Sequence, residues 1–143
     1  MQSLSKYAPY ALAVLRIVTA LLFIEHGTAK LFGFPAMPGP GHAGGLSPLM
    51  LIGALLEVFG GLAILVGFFT RPVAFILSGE MAVAYWAMHV PMGGFFPLSN
   101  GGDAPILYCF IFLYLVFAGP GPLSIDRTRR PPLGTPRHDQ DHA

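Results

Sequence analysis

The sequence predicts an all-α integral membrane protein that is built as a four-helix bundle. Two observations favour this fold. Of the 143 residues, 54% are hydrophobic and 10% are charged, whereas about a quarter of the residues in an ordinary soluble domain are charged. The apolar residues also fall into four runs separated by polar, glycine- or proline-containing breaks. Each run is long enough, or nearly long enough, to cross a bilayer as a helix. We therefore expect one membrane domain over residues 1–126.

The first two predicted spans cover about residues 10–34 and 49–69. The first span ends at a Gly-Phe-Pro break, because glycine and proline stop a helix. A glycine- and proline-rich loop follows it. The second span closes at a short polar turn, where Pro72 suits the first turn of the next helix.

The third and fourth predicted spans cover about residues 73–89 and 104–118. The loop between them contains the aromatic pair Phe95 and Phe96, which suits the headgroup level of a membrane. At about 1.5 Å per residue the fourth helix is nearly 23 Å long, which is shorter than a typical hydrocarbon core of about 30 Å. This helix needs flanking residues or a thinner bilayer to span.

The distribution of positive charge predicts the orientation of the bundle. The loops at 35–48 and 90–103 contain no lysine or arginine. If four helices alternate in direction, the opposite side carries Lys6, Arg71, Arg127, Arg129, Arg130 and Arg137. Because positive loops stay in the cytoplasm, both termini are predicted to be cytoplasmic.

The two ends of the chain are predicted to differ. The N-terminal apolar stretch is too long for a signal peptide and carries Arg16 in its middle, so we expect it to be retained as the first span. The tail at 127–143 is polar and proline-rich, and we expect it to be disordered in the cytoplasm. His138 and His142 in that tail are expected to be solvated and not to bind a metal.

Composition also excludes several classes of function. The net charge of +1, with eight Lys and Arg in total, argues against a nucleic-acid partner, which needs a basic face. Cys109 is the single cysteine, so the chain has no disulfide within it, no CxxC redox pair and no thiolate metal site. We expect Cys109 to behave as a small buried hydrophobe.

Charged and titratable residues inside the apolar runs are the main functional signal. Charges in a span cost about 2.5 to 3.5 kcal/mol each, so they usually face a bundle interior or one another. At 100° per residue, Arg16, His26 and Lys30 fall within about 80° on the first span, with Glu25 bordering this face or pointing to a neighbouring helix. The predicted result is a polar chamber in the outer half of the membrane. Its residues are Glu25, His26, Lys30, Glu57 and Glu80, with Arg16 below it and His89 at its mouth.

Two interpretations of this polar group stay open. Gly53, Gly60 and Gly67 recur every seven residues and allow close helix packing, so Glu57 could simply pin two helices through a buried ion pair with Arg16 or Lys30. Three carboxylates nevertheless exceed what such a pair requires. Crowded carboxylates beside a histidine are typical of a site that exchanges protons.

The order of several short motifs resembles the DoxX family of small four-helix membrane proteins. The first of these are Arg16, Gly27-Thr28-Ala29-Lys30-Leu31, Glu57-Val58-Phe59-Gly60-Gly61, Gly67 and Thr70-Arg71. They are followed by Asn100-Gly101-Gly102-Asp103 and by Gly119-Pro120-Gly121-Pro122-Leu123-Ser124-Ile125-Asp126. The resemblance extends from Arg16 to Asp126. Where the family commonly has a glutamate after the Asn-Gly-Gly turn, this chain has the shorter acid Asp103.

The resemblance implies a multi-pass protein of the bacterial inner membrane that is associated with redox work. Relatives are described as subunits of a thiosulfate:quinone oxidoreductase, in quinone-stress responses, and in thiol or superoxide defence assemblies. The implied function is a subunit of a quinone-linked oxidoreductase or a redox-stress accessory protein.

In the first functional hypothesis, the chamber holds a quinone headgroup. Glu57 or His26 supplies protons, and Lys30 or Arg16 stabilises a quinol anion. The expected catalytic residues are thus Glu57, His26 and Lys30. The expected substrate-binding residues are Arg16, Glu25, Glu80, Asp103 and His89, and the expected apolar walls are Phe59, Tyr85, Trp86 and Tyr108.

The sequence contains no evident electron carrier. It has no GxGxxG dinucleotide turn, no cysteine cluster and no clear bis-histidine haem arrangement. A redox role therefore requires a soluble or membrane-bound partner, and no covalent cofactor or metal is expected. Two other hypotheses remain. One is a carrier for a proton or small solute, which would form a homo-oligomer to build a roomy pathway. The other is a structural anchor that recruits a soluble redox enzyme through the arginine-rich tail.

Overall fold

The computed structural model describes residues 2–36 and 45–129. Within these ranges the chain is helical and has no strand. The four long helices are α1 (Ala8–Phe32), α2 (Pro48–Val66), α3 (Thr70–Gly93) and α4 (Asp103–Ala118). Short helical turns at Gln2–Ser5, Pro97–Asn100 and Ile125–Thr128 flank them. The predicted all-α, four-helix architecture is confirmed.

Three of the helices in the described part of the chain are long and apolar enough to cross a membrane. They are α1, α2 and α3, whereas α4, with 16 residues, is an apolar helix of shorter length. The weak fourth span was anticipated from its sequence. Its exposed face is as apolar as those of the other three, because Leu107, Phe110, Tyr114 and Phe117 all face outward.

The third helix extends beyond its predicted range at both ends. It begins at Thr70, three residues early, because the carboxylate of Asp126 binds its first amides. It also continues past His89 through a π-helical stretch, Tyr85–His89, and a final turn, Val90–Gly93. Pro91 is tolerated there because it occupies the start of that last turn, where a missing amide proton costs little.

The second helix ends three residues earlier than predicted. Gly67 adopts the left-handed conformation with φ 67° and closes α2 after Val66. A glycine commonly terminates helices in this way, because it lacks the Cβ that makes the conformation costly. At the C-terminus, Arg127 belongs to a helical turn, while residues 130–143, including His138 and His142, lie outside the described residues.

The helices alternate in direction, so that one end of the bundle collects the basic residues. This basic end contains the start of α1, the end of α2, the start of α3 and the end of α4. Hydrogen bonds between Arg16, Ile64, Pro120 and Leu123 hold these segments together. Lys6, Arg71, Arg127 and Arg129 all lie at or beyond this end. The cytoplasmic position of the basic end remains a prediction.

The bundle consists of two closely packed helix pairs. Helix α1 packs mainly on α2, and α3 packs mainly on α4, while α2 and α3 join the pairs and α1 makes few contacts with α4. The central core is formed by Ala20, Phe23, Ile64, Ala74, Leu77, Met81, Phe112 and Leu115. The least closed side of the bundle is therefore the one between α1 and α4.

Small residues allow the backbones to approach, as the glycine pattern predicted. A Cβ added to Gly27 would lie 2.7 Å from Cγ2 of Val58 and 2.9 Å from the backbone oxygen of Ala54. On the other side of α2, Gly60 accommodates Leu77 of α3. The α1–α2 contact thus depends on the absence of a side chain at position 27.

We expect Gly27→Ala to destabilise the bundle. The added methyl group would press on a main-chain oxygen that cannot move aside, and overpacking of this kind costs about 1 to 3 kcal/mol. The measurement is the thermal unfolding midpoint of purified protein in detergent, followed by circular dichroism.

Gly79→Ala is the matched control, because a Cβ there has no neighbour within 4 Å. This variant should unfold at the wild-type temperature or slightly above it, since alanine favours helix relative to glycine by about 0.5 to 1 kcal/mol. Equal midpoints for the two variants would contradict the packing argument.

Candidate functional site

A buried ion pair joins α1 to α2 in the interior of the bundle. Nζ of Lys30 donates to Oε1 of Glu57 at 2.5 Å, and the two side chains are 24% and 3% exposed. Glu57 stands at the middle of α2. Helical side chains point toward the N-terminus of their own helix, so Lys30, in the last turn of α1, reaches back toward the membrane centre. Of the two partners proposed from the sequence for Glu57, the structure selects Lys30.

Glu80 of α3 lies beside this pair and is not neutralised by it. Both of its carboxyl oxygens are buried and have no hydrogen-bond partner among the described residues. Its Oε1 lies 3.3 Å from the position of a Cβ on Gly53, so the glycine provides the space for the carboxyl group. Gly53 lies one helical turn before Glu57 on α2, so the carboxyl group of Glu80 and the Lys30–Glu57 pair form one cluster.

Like the two oxygens of Glu80, Oε2 of Glu57 is buried without a hydrogen-bond partner in the described part of the chain. The cluster therefore contains two carboxyl groups, one ammonium group and three acceptor oxygens that receive no hydrogen bond. Buried acceptors are usually paired because leaving one unpaired costs about 1 to 3 kcal/mol. This deficit of donors is the main chemical property of the site.

Glu25 and His26 do not line the interior with the ion pair, contrary to the predicted chamber. Both are exposed on α1. Nine residues separate Glu25 from Arg16, which places Glu25 about half a turn away from the buried stripe of the helix. The prediction compared the position of Glu25 on the helix with that of His26 and not with that of Arg16. It therefore did not show that Glu25 lies on the opposite face from Arg16.

His26 borders the site from the side of α4. Its Nδ1 lies 2.8 Å from the carbonyl oxygen of Leu22, and its ring meets that of Tyr108 edge-on at 5.7 Å. Tyr108 in turn packs against Phe23 at 5.3 Å and lies parallel to Phe112. His26 lies one helical turn before Lys30 on α1. An aromatic wall thus adjoins the cluster where α1 and α4 make few contacts.

The other aromatic residues expected to form walls lie elsewhere. Phe59 and Trp86 are 66% and 58% exposed and face outward. Tyr85 is buried, but its hydroxyl donates to the carbonyl oxygen of Phe95 near the opposite end of the bundle. Tyr108 is the member of the predicted set that adjoins the cluster.

Arg16 is fully buried at the basic end and is occupied by main-chain oxygens. Its Nε donates to Pro120, one terminal nitrogen donates to Ile64 and Leu65, and the other donates to Leu123. The 14 residues to Lys30 correspond to about 21 Å along the helix. Arg16 therefore lies below the cluster, as predicted, but its donors already hold the fold together.

The end of the bundle opposite the basic end is closed by Asn100. Its side chain donates to Gly94 at 2.7 Å and accepts from the amide of Gly102 at 2.8 Å. Nδ1 of His89 lies 3.0 Å from the carbonyl oxygen of Asn100, and Asp103 is exposed in the first turn of α4. His89 and Asp103 thus belong to this end and make no hydrogen bond with the cluster.

No role was predicted for Asp126 from the sequence, yet Asp126 organises the basic end. Its two oxygens accept hydrogen bonds from the amides of Phe69 and Thr70, each at 2.8 Å, and its own amide donates to Gly67. Partial burial alone would raise the pKa of Asp126. The hydrogen bonds from Thr70 and Phe69 and the charge of Arg129 outweigh burial and lower that pKa below its ordinary value. Two features of the sequence could have indicated this cap. They are the acid in the last helical turn and the start of α3, which has no side-chain cap of its own.

Two features remain to be described, the surroundings of Cys109 and the capacity for metal binding. Cys109 is half-buried and free, and the hydroxyl of Ser78 donates to its carbonyl oxygen at 2.9 Å. Residues 2–36 and 45–129 contain no group of three or more His, Cys, Asp or Glu side chains arranged to hold a metal ion.

Comparison with known proteins places these features in context. The model of the DoxX family matches residues 11–90. An uncharacterized protein of Haemophilus influenzae is 47% identical over 128 residues, which are 88% of this chain and 96% of the relative. Two Escherichia coli proteins, inner membrane protein YqjF and inner membrane protein YphA, are 32% and 31% identical. They cover 87% and 83% of this chain, and 95% and 90% of their own lengths.

No solved structure is significantly similar to the chain. The family match, the inner-membrane relatives and the three helices long enough to span agree with one another. The chain is a multi-pass protein of the bacterial inner membrane.

Arg16→Lys should strongly destabilise the bundle. A lysine ammonium group is a single point and cannot reach the four carbonyl oxygens that the guanidinium fork binds. Leaving two or more buried acceptors without donors costs about 1 to 3 kcal/mol each. The thermal midpoint in detergent should fall well below that of Lys6→Met, which removes an exposed charge at the same end. A midpoint equal to that of the control would show that the carbonyl contacts contribute little.

The stability contributed by Asp126 should depend on acid pH. Because the folded-state pKa lies below the ordinary value of about 3.9, the ionised carboxylate stabilises the fold fully above that value. The contribution is lost as pH falls through the lower, folded-state pKa. The thermal midpoint of wild type should exceed that of Asp126→Asn at pH 5 to 7, and the difference should shrink below about pH 4. Asp103→Asn is the control, and a difference independent of pH would contradict the assignment.

Proposed function

Because the chain belongs to the DoxX family, we propose that it is the membrane subunit of a quinone-linked oxidoreductase, or a redox-stress accessory protein that binds quinone. The observation that carries the proposal is the Lys30–Glu57 ion pair beside the aromatic wall of Tyr108 and His26. The pair retains some exposure through Lys30 on α1, a helix that makes few contacts with α4. A lipid-soluble ligand would enter by this side.

The donor and acceptor pattern of the site suits a quinone headgroup. A quinone presents two carbonyl oxygens, which are acceptors, on a flat ring. Lys30 has three donor hydrogens and commits one of them to Glu57. Another is available for a ligand oxygen, and the ring of Tyr108 offers a face or an edge for stacking. Buried Oε2 of Glu57 accepts from a ligand hydroxyl once the ligand is reduced.

The residues of the chain handle protons and charge in this proposal, and a partner handles electrons. Reduction of a quinone to a quinol consumes two electrons and two protons. Lys30 stabilises negative charge on a ligand oxygen, while Glu57, with His26 at the edge, exchanges protons with it. The chain has one cysteine and no dinucleotide-binding turn. The electrons therefore come from a soluble or membrane-bound redox partner.

A proton carrier is the second candidate, and one observation favours it. Glu57 and Glu80 place three buried oxygens without donors near the middle of the bundle, and carboxyl groups of this kind mark proton relays in membrane proteins. A carrier of this size would form a homo-oligomer. The third hypothesis, an anchor that works through the arginine-rich tail, concerns residues that lie mostly outside the described ranges.

We expect wild-type protein to bind a short-chain quinone and Lys30→Met to bind it at least tenfold more weakly. Loss of one charge-assisted hydrogen bond costs about 1.5 to 3 kcal/mol, which corresponds to about a 10- to 100-fold change in affinity. The measurement is titration of decylubiquinone into detergent-purified protein with Trp86, the single tryptophan, as the fluorescent reporter.

Lys6→Met is the matched control, since it removes a lysine at the opposite end of α1 and should bind as wild type does. Glu57→Gln should weaken binding together with Lys30→Met. Absence of saturable binding by the wild type, or equal affinity in all variants, would contradict the quinone proposal. Proton leak from dye-loaded proteoliposomes that disappears in Glu57→Gln would then favour the carrier.

A further inference from the structure

The carboxyl group of Glu80 is the least satisfied polar group in the described part of the bundle. Both oxygens are buried and receive no hydrogen bond from any described residue. Oε1 lies against Gly53 on α2, whose missing side chain provides the slot that holds it. The quinone proposal uses Lys30 and Glu57 and leaves Glu80 without a function.

The charges around Glu80 do not compensate an ionised carboxylate. The slot at Gly53 that holds its Oε1 lies one helical turn before Glu57 on α2. Glu57 is bound to Lys30 of α1, and Tyr108 of α4 contacts His26 of α1. Lys30 already donates to Glu57 at 2.5 Å. If both carboxyl groups were ionised, the cluster would carry one net negative charge in a medium of low dielectric constant, which is unfavourable.

Protonation removes this conflict at one position. A carboxylic acid carries no charge, and it gains an O–H donor in a place where acceptors outnumber donors. Glu57 is already paired with the ammonium group of Lys30, whereas Glu80 has no partner among the described residues, so the proton belongs on Glu80. Oε2 of Glu57, which is buried on the adjoining helix without a donor, is an acceptor within the same cluster.

We propose that Glu57 and Glu80 form a one-proton binding site in which Glu80 is a neutral carboxylic acid at pH 7. Glu80 exchanges this proton with Glu57. When Glu57 becomes protonated, it releases Lys30, and the free ammonium group then stabilises an ionised Glu80. The proton moves from Glu80 to Glu57, one O–H bond breaks as another forms, and the net charge of the cluster stays at zero.

This arrangement gives the proposed redox site a proton reservoir on α3, next to Gly53 of α2. Glu80 passes its proton to Glu57, and Glu57 passes it on to the reduced ligand. That last step rests on the proposed quinone function, whereas the protonation state of Glu80 does not.

Infrared spectroscopy of protein freed of quinone by extraction tests the proposal. At pH 7 the wild type should show the C=O stretching band of a protonated carboxylic acid, and the band should vanish at strongly alkaline pH. Glu80→Gln should lack the band. Glu25→Gln, which alters an exposed carboxyl group on α1, should retain it.

Glu57→Gln distinguishes a shared proton from an isolated acid. Without Glu57, the ammonium group of Lys30 is free to pair with Glu80, so the band should also be lost at pH 7 although Glu80 is present. Persistence of the band in Glu57→Gln would overturn the shared site. Absence of the band from wild type, or its persistence in Glu80→Gln, would overturn the protonation of Glu80.

Thermal stability gives a second, independent measurement. Because the wild-type side chain is already neutral, Glu80→Gln should keep the wild-type unfolding midpoint at pH 7, whereas Glu57→Gln should lower it by breaking the ion pair that joins α1 to α2. A large loss of stability in Glu80→Gln would contradict a neutral Glu80. None of these measurements involves quinone, so failure of the quinone titration would leave their outcome unaffected.

Discussion

The guanidinium group of Arg16 connects three parts of the chain at one end of the bundle. It donates to the last carbonyl oxygens of α2 and to two carbonyl oxygens of the segment after α4. A helix C-terminus has carbonyl groups that no intrahelical amide can satisfy, and in an apolar surrounding they require another donor. One buried cation meets that requirement, so the closing segment and α2 are positioned by the same side chain on α1.

Polar satisfaction differs sharply between this end and the middle of the bundle. At the basic end the donors of Arg16 and both oxygens of Asp126 have partners, and the left-handed Gly67 fits beneath the closing segment. In the middle, one lysine meets two glutamates and three oxygens remain unsatisfied. The basic end, where Oγ1 of Thr70 is the one buried side-chain atom without a partner among the described residues, is suited to holding the fold. The unpaired oxygens in the middle can bind a proton or accept a hydrogen bond from a ligand.

Sequence alone identified four helices, the buried Arg16 and Glu57, and the role of the glycines, because these depend on composition and local periodicity. It did not separate Lys30 from Arg16 as the partner of Glu57, since both lie on one stripe and only the packing of α1 on α2 decides. The outward position of Glu25 was computable from its spacing to Arg16. The cap that Asp126 forms on α3 joins residues 56 and 57 positions apart, so no local pattern revealed it. The added helical turns after Tyr85 depend on a π-helical stretch that has no clear sequence signal.

The contacts of Arg16 also have a consequence for the order in which the protein is made. Its last carbonyl partner, Leu123, follows it by 107 positions, which corresponds to about 5 to 20 s of synthesis at typical ribosome speeds. During that interval α1 carries a guanidinium group without its final partners. Because Arg16 lies within about 13 Å of the start of α1, its side chain can extend to the membrane surface while it waits. The bundle is thus completed only after the last helix has entered the bilayer, and the first helix to be inserted is among the last to be locked.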